Sequence, residues 1–131
     1  MGRAYLAYCA PDERDAHLRR FRADPERGFG PDDERDFSAL LAEVRRDGYA
    51  MRDPRTKPYR TTTLAVPILA GGEVHALASI SIFTTAVPRD RVVGDIVDPL
   101  KETCARIGQA LAYAPGHYPV ANGLADETAS F

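Results

Sequence analysis

The stretch TLAVPILAGGEVHALASISIFTT, residues 63–85, constrains the fold of this chain more than any other. Two apolar runs flank a Gly71-Gly72 pair, which is the pattern of an antiparallel hairpin. Small hydroxyls interrupt it. Thr61 and Thr63 stand at the start of the first strand, and Ser79 and Ser81 sit two apart inside the second. Residues two apart share a face of a strand, so these side chains form a row. A buried hydroxyl costs free energy unless it finds a partner. Either the row is half-exposed and water or backbone satisfies it, or it lines a semi-polar cavity. Leu77 and Phe83 share the serines' face, which favours the cavity.

The turn decides which faces of the two strands coincide, because a one-residue slip carries every side chain to the other side of the sheet. A two-residue Gly71-Gly72 turn sets the serines beside Leu64 and Val66. A three-residue loop, Ala70 to Gly72, sets them with Thr61 and Thr63 and gathers Leu64, Val66, Ile68, Val74, Ala76, Ala78, Ile80 and Ile82 on the opposite face. The second register gives one consistently apolar face, so the three-residue loop is the expectation. Pro67 cannot donate to a ladder, which predicts an edge strand or a local bulge.

Helices surround the hairpin. GRAYLAYC reads as a short helix. PDERDAHLRRFRADPERG follows as a second, with Pro11 at a first helical position and an end at Pro25 and Gly28. Pro31 and Asp32 introduce a third, in which Phe37, Leu40, Leu41 and Val44 recur at helical spacing and Gly48 supplies the stop. Tyr49 to Arg52 is an extended segment, and DPRTKPY is a polar loop. PRDRVVGDIVDPLKETCARIGQALAY predicts one long terminal helix, kinked at Pro99, with Val93, Val97, Leu100, Cys104, Ile107 and Leu111 as its apolar series. The tail from residue 114 to 131 has little to bury and is expected to be mobile.

At 131 residues the chain holds a single domain. Its net charge of −2 leaves no basic footprint for nucleic acid, and its arginines alternate with carboxylates as solvated helix faces do. No apolar run approaches a bilayer span, and the N-terminus lacks the features of a signal peptide. The expected location is the cytoplasm, with Cys9 and Cys104 as reduced, partly buried thiols. His17, His75 and His117 show no metal spacing, so neither a metal nor a cofactor is expected. The acids of PDER and DDERD stand at helix starts, where they offset the helix dipole. No nucleophile elbow or phosphate-binding glycine loop is present. These features do not describe an enzyme; the remaining catalytic reading is a small hydrolase using Cys9.

Taken in order, GRAYLAYC followed by APDER, EVRRDGYAMRD, TTTLAVPILAGGEVHALASISIF and the final helix resemble the effector-binding domain of IclR-family transcription regulators over residues 2 to 112. LAYCAPDER and RRDGYAMRD look closest to the branch that activates aromatic-acid catabolism, including regulators of 3-(3-hydroxyphenyl)propionate use. The resemblance implies an α/β (α+β) class and a GAF-like fold, a twisted antiparallel sheet flanked by helices, here over residues 1–113 and missing its first strands. It implies a small organic acid effector, aromatic or hydroxylated, and homodimers or homotetramers. DNA would be gripped only through a winged helix-turn-helix domain that this chain lacks. Carried over by position, the effector site comprises Gly2, Arg3, Tyr49, Arg52, Thr61, Thr63, Ser79 and Ser81. Where the family often has an acid just after the Gly-Tyr segment, Arg52 comes first here and Asp53 follows. A related expectation is a free-standing domain that oligomerises with full-length regulators and modulates them without touching DNA.

Overall fold

The computed structural model of the chain describes residues 1–26, 28–52 and 60–113. The proline loop of DPRTKPY and the tail from 114 to 131 lie outside the described residues. The elements run α1 (Gly2–Tyr8), α2 (Pro11–Ala23), α3 (Pro31–Asp47), β1 (Ala50–Met51), β2 (Thr61–Ala70), β3 (Glu73–Phe83) and α4 (Asp98–Tyr113), with short irregular helical turns ahead of α4. The three strands form one antiparallel sheet in the order β1-β2-β3. The α+β class read from the sequence is the class observed.

The hairpin closes differently from the expectation. Ala70 pairs with Glu73, so the turn is the two-residue Gly71-Gly72 form. Both glycines have positive φ, +61° and +84°, as a type I′ turn requires. That turn alone would have put the serines beside Leu64. A bulge between Ile68 and Leu69 leaves His75 as an extra residue on β3 and restores the phase. Ser81 therefore pairs with Thr63 and Ser79 with Ala65, while Ile80 pairs with Leu64. The predicted grouping of hydroxyls holds, reached by a bulge where a longer loop was expected. Val74 alone changes sides, pairing with Leu69 and packing on the α1 side. Of the two readings of Pro67, the bulge is the one observed, between Ile68 and Leu69; among the described residues β2 is the middle strand, and Pro67 lies beyond the two residues that β1 pairs, Ala65 and Leu64.

Each face of the sheet has its own helical cover. On one side α1 lies along the sheet, and its small residues Ala4 and Ala7, both essentially buried, let it sit close to Ala50 and Ala65. Leu41 and Val44 of α3 close this cluster from outside. On the other side Leu64, Val66 and Ile68 meet Val92, Val97 and Cys104. Fully burying a side chain such as Leu64 or Val97 contributes about 1.5–3 kcal/mol. Helix α3 ends as its sequence predicts: Gly48 takes φ +82°, its N–H bonds to the Val44 carbonyl, and Lys101 Nζ donates to the Asp47 carbonyl at 2.8 Å.

The terminal helix is continuous but irregular. Arg89–Arg91 form a 3₁₀ turn and Val93–Val97 a π turn, in which the Asp98 N–H reaches back to the Val93 carbonyl. Pro99 follows the π turn directly, and its missing N–H falls where the helical bonding is already irregular. The wide turn rotates the apolar stripe. Val92, Val97, Cys104 and Gly108 are buried, whereas Val93, Ile107 and Leu111 are exposed.

Gly108 sets how closely α4 approaches. A Cβ there would lie 2.0 Å from the Leu69 carbonyl oxygen, and backbone cannot swing aside. Ala is a better helix former than Gly by about 1 kcal/mol. Forcing α4 off the sheet costs more, about 1–3 kcal/mol. Gly108→Ala is therefore expected to lower the melting temperature, and a variant melting at or above the wild type would contradict this packing.

Candidate functional site

The hydroxyl row lies on the α1 side of the sheet. Thr63 Oγ1 and Ser81 Oγ hydrogen-bond to each other at 2.9 Å. The Arg52 N–H donates to the Thr63 carbonyl at 2.9 Å, so Thr63 turns its backbone groups towards the β1 side. Thr63–Ser81 is then a non-hydrogen-bonded cross-strand pair, the kind that brings side chains closest. Ser79 and Ser81 are exposed and Thr61 and Thr63 half-buried; Phe83, on the same face, is 64% exposed. The row is an open floor in this structure, and Phe83 does not close it.

Two arginines border the floor. Arg3, in the first turn of α1, donates from Nη2 to the Met51 carbonyl at 3.2 Å. That contact pins the start of α1 over the end of β1. Arg52 donates from Nη2 to the Thr61 carbonyl and, at 3.3 Å, to Thr61 Oγ1. Thr62, the buried hydroxyl of the strand, donates to the Arg52 carbonyl at 2.6 Å. Arg52 is thereby tied to β2 by side chain and main chain. Asp53, its neighbour in the sequence, lies outside the described residues.

The structure brings Arg3, Arg52, Thr61, Thr63, Ser79 and Ser81 to this one side. It does not bring Tyr49. Alternation along β1 sends Tyr49 to the opposite face, where it packs against the Leu64 and Val66 clusters under α4. Reading Gly48-Tyr49 as part of one site overlooked that period. Gly2 is exposed, and with Arg3 it also borders a groove of about 530 Å³ on the outer side of α1, lined by Met1, Leu6, Phe21, Phe29 and Phe37. The three phenylalanines meet edge to face, with centroids 6.0–6.5 Å apart. They come from two helices and the connection between them, so no single periodicity reveals the groove. Thr62 was likewise passed over, because a lone threonine on an apolar face carries no sequence signal.

Both thiols are buried. Cys9 is 5% exposed and donates weakly to the Leu6 carbonyl at 3.7 Å. Burial, then the nearby Glu13 carboxylate, pushes its pKa up; burial does the same for Cys104. Both are free cysteines. Tyr5 donates to Glu13 Oε1, and that hydrogen bond is the main reason its phenol is pushed up to about 12. Among the described residues no three His, Cys, Asp or Glu side chains come together to hold a metal ion, and no helix is long and apolar enough to cross a membrane.

No family model and no curated protein matches the chain. Solved structures do. An IclR transcriptional regulator from Alicyclobacillus acidocaldarius is 27% identical, with a TM-score of 0.62 over 82% of this chain and 42% of its own. An IclR-family transcriptional regulator from Brucella abortus, at 24% identity, shares the fold with a TM-score of 0.65 over 87% of this chain and 42% of its own. The inducer-binding domain of the PobR transcription factor from Acinetobacter, a double mutant in complex with 3-hydroxybenzoic acid, shares the fold at 17% identity and a TM-score of 0.61, over 82% of this chain and 63% of its own. The family resembled in sequence is therefore the family of the structural neighbours: IclR-type transcriptional regulators. This chain spans less than half the length of the first two.

A raised thiol pKa and burial together predict sluggish chemistry at Cys9. At pH 7 the native chain should react with an aromatic disulfide reagent at least about 100-fold more slowly than the urea-unfolded chain. Rapid labelling of native Cys9 would revive a nucleophilic role.

Proposed function

We propose that this chain is the effector-binding domain of an IclR-type transcription regulator that senses a small hydroxylated or aromatic carboxylic acid, and that it performs no catalysis. The observation that carries the reading is the paired Thr63 and Ser81 hydroxyls, with Ser79 beside them, on a floor bordered by Arg3 and Arg52. Hydroxyls of this kind both donate and accept, so they suit the phenol or hydroxyl of a ligand. They bring no charge. A carboxylate needs a cation, and a planar guanidinium can bind both of its oxygens at once.

Arg52 is the residue we assign to that task. Thr61 holds its side chain at the edge of the floor, so the guanidinium is positioned before any ligand arrives. The domain solved with 3-hydroxybenzoic acid supports the ligand class, a ring carrying one carboxylate and one hydroxyl. Likeness to full-length IclR-type regulators supports the wider role, in which effector binding biases a DNA-binding domain. The raised pKa and burial of Cys9 weigh against the hydrolase alternative.

Calorimetric titration with 3-hydroxybenzoate and its methyl ester tests this. Arg52→Gln should cost the acid about 1.5–3 kcal/mol of binding free energy while leaving the ester nearly unchanged. Equal losses for acid and ester, or no saturable binding of the acid by the parent chain, would count against the assignment.

A further inference from the structure

Arg52 stands just past β1, whose paired residues end at Met51. Three successive threonines of β2 hold its three polar parts. The Thr61 carbonyl and Oγ1 accept from its guanidinium, and the Thr63 carbonyl accepts its N–H at 2.9 Å. Between them, the Thr62 hydroxyl donates to the Arg52 carbonyl at 2.6 Å. Thr61 and Thr63 belong to the hydroxyl face, but Thr62 does not. It pairs with Ile82 and shares the parity of Leu64, so its side chain lies on the α4 side of the sheet. At 5% exposure it is the only buried residue of polar type among the described residues. Valine, with nearly the same shape, suits an apolar strand position at least as well. A hydroxyl there costs free energy unless it is paired, and the partner it has is the Arg52 main chain.

We infer that Thr62 is a positioning residue: from the far side of the sheet it fixes the main chain of Arg52, and thereby the guanidinium that selects a carboxylate over a neutral ester. The inference rests on the reading of Arg52 as the carboxylate partner. Its geometry is simple. The Arg52 N–H fixes the peptide plane before its Cα and the carbonyl fixes the plane after it, so the two bonds together set the direction of the side chain. Loss of the Thr62 bond frees the second plane, and Thr61 then holds only the tip of the guanidinium. A charged group that must order itself on binding gives up part of its affinity. Thr62 lies on the other face from a ligand on the floor, so any change it causes there is carried by Arg52. Hydrogen bonds of this kind, behind the group that meets the ligand, hold a site to its productive geometry.

Thr62→Val and Thr62→Ser, each titrated calorimetrically with 3-hydroxybenzoate and its methyl ester, separate this role from a structural one. Thr62→Val should weaken the acid at least about tenfold and the ester less than about twofold. Thr62→Ser keeps the hydroxyl and should stay within about threefold of the parent for both ligands. A second arm uses no ligand. Amide hydrogen exchange at Arg52 should be at least about tenfold faster in Thr62→Val than in the parent, while Leu64 and Val66, paired with β3, stay unchanged. Where Thr62→Val fails to fold, Thr62→Ala removes the same hydroxyl with less bulk and is read in the same way. Equal losses for acid and ester, a Thr62→Ser variant as weak as Thr62→Val, or unaltered exchange at Arg52 would overturn the role given to Thr62. A parent chain that binds neither ligand removes the effector reading instead, and with it the preference for a carboxylate; the exchange rates then decide whether Thr62 holds Arg52.

Discussion

The ladder between β2 and β3, advanced by one residue at His75, governs what each face of the sheet can do. Across it Leu64 meets Ile80 and Thr63 meets Ser81, so aliphatic and hydroxyl side chains separate cleanly. Without that extra residue the type I′ turn would put Ser79 under α4, against Val97 and Cys104, where a hydroxyl has no donor or acceptor to meet. An unpaired buried hydroxyl costs about 1–3 kcal/mol. The same slip would bring Ile80 to the open floor. The bulge thus serves the core and the candidate site at once.

Close approach on both faces turns this segregation into a fold. Ala4 and Ala7 bring α1 down on Ala65, and Gly108 brings α4 onto the Leu69 carbonyl. Arg3 of α1 is anchored to the Met51 carbonyl, on the side of the sheet where Thr63 is half-buried and Ser79 and Ser81 are exposed. The borders of this floor are rigid: Arg52 is bound to Thr61, and Thr62 returns the bond to the Arg52 main chain. A surface of hydroxyls edged by fixed guanidinium groups suits a small anion far better than it suits duplex DNA, which calls for a broad basic face.

Much of this was legible in the residues, and the misses have physical causes. Helix starts at Pro11 and Pro31 and the stop at Gly48 obey local rules of φ and hydrogen bonding, which a sequence displays directly. The hydroxyl face was found because period-two alternation is also local. The turn was misjudged because face pairing constrains the sum of turn and bulge, and two combinations give the same sum. The terminal helix has the expected extent but not the expected stripe: Val93, Ile107 and Leu111 keep helical spacing with residues that are buried, while a π turn shifts the stripe to Val92 and Gly108. Tyr49 was assigned by its place beside Gly48, although its parity with Ala50 sends it beneath α4. The Phe21, Phe29 and Phe37 groove depends on how α1, α2 and α3 meet, which no single segment records.

The account rests on the hydroxyl side of the hairpin being the ligand surface. Amide chemical-shift mapping of the ¹⁵N-labelled chain during titration with 3-hydroxybenzoate addresses this most directly. The account predicts saturable shifts clustered at Arg52, Thr61, Thr63, Ser79 and Ser81, with Leu100, Cys104 and Gly108 under α4 undisturbed. Shifts clustered instead along α4 or around Phe21, Phe29 and Phe37, with the hydroxyl row unmoved, would contradict it.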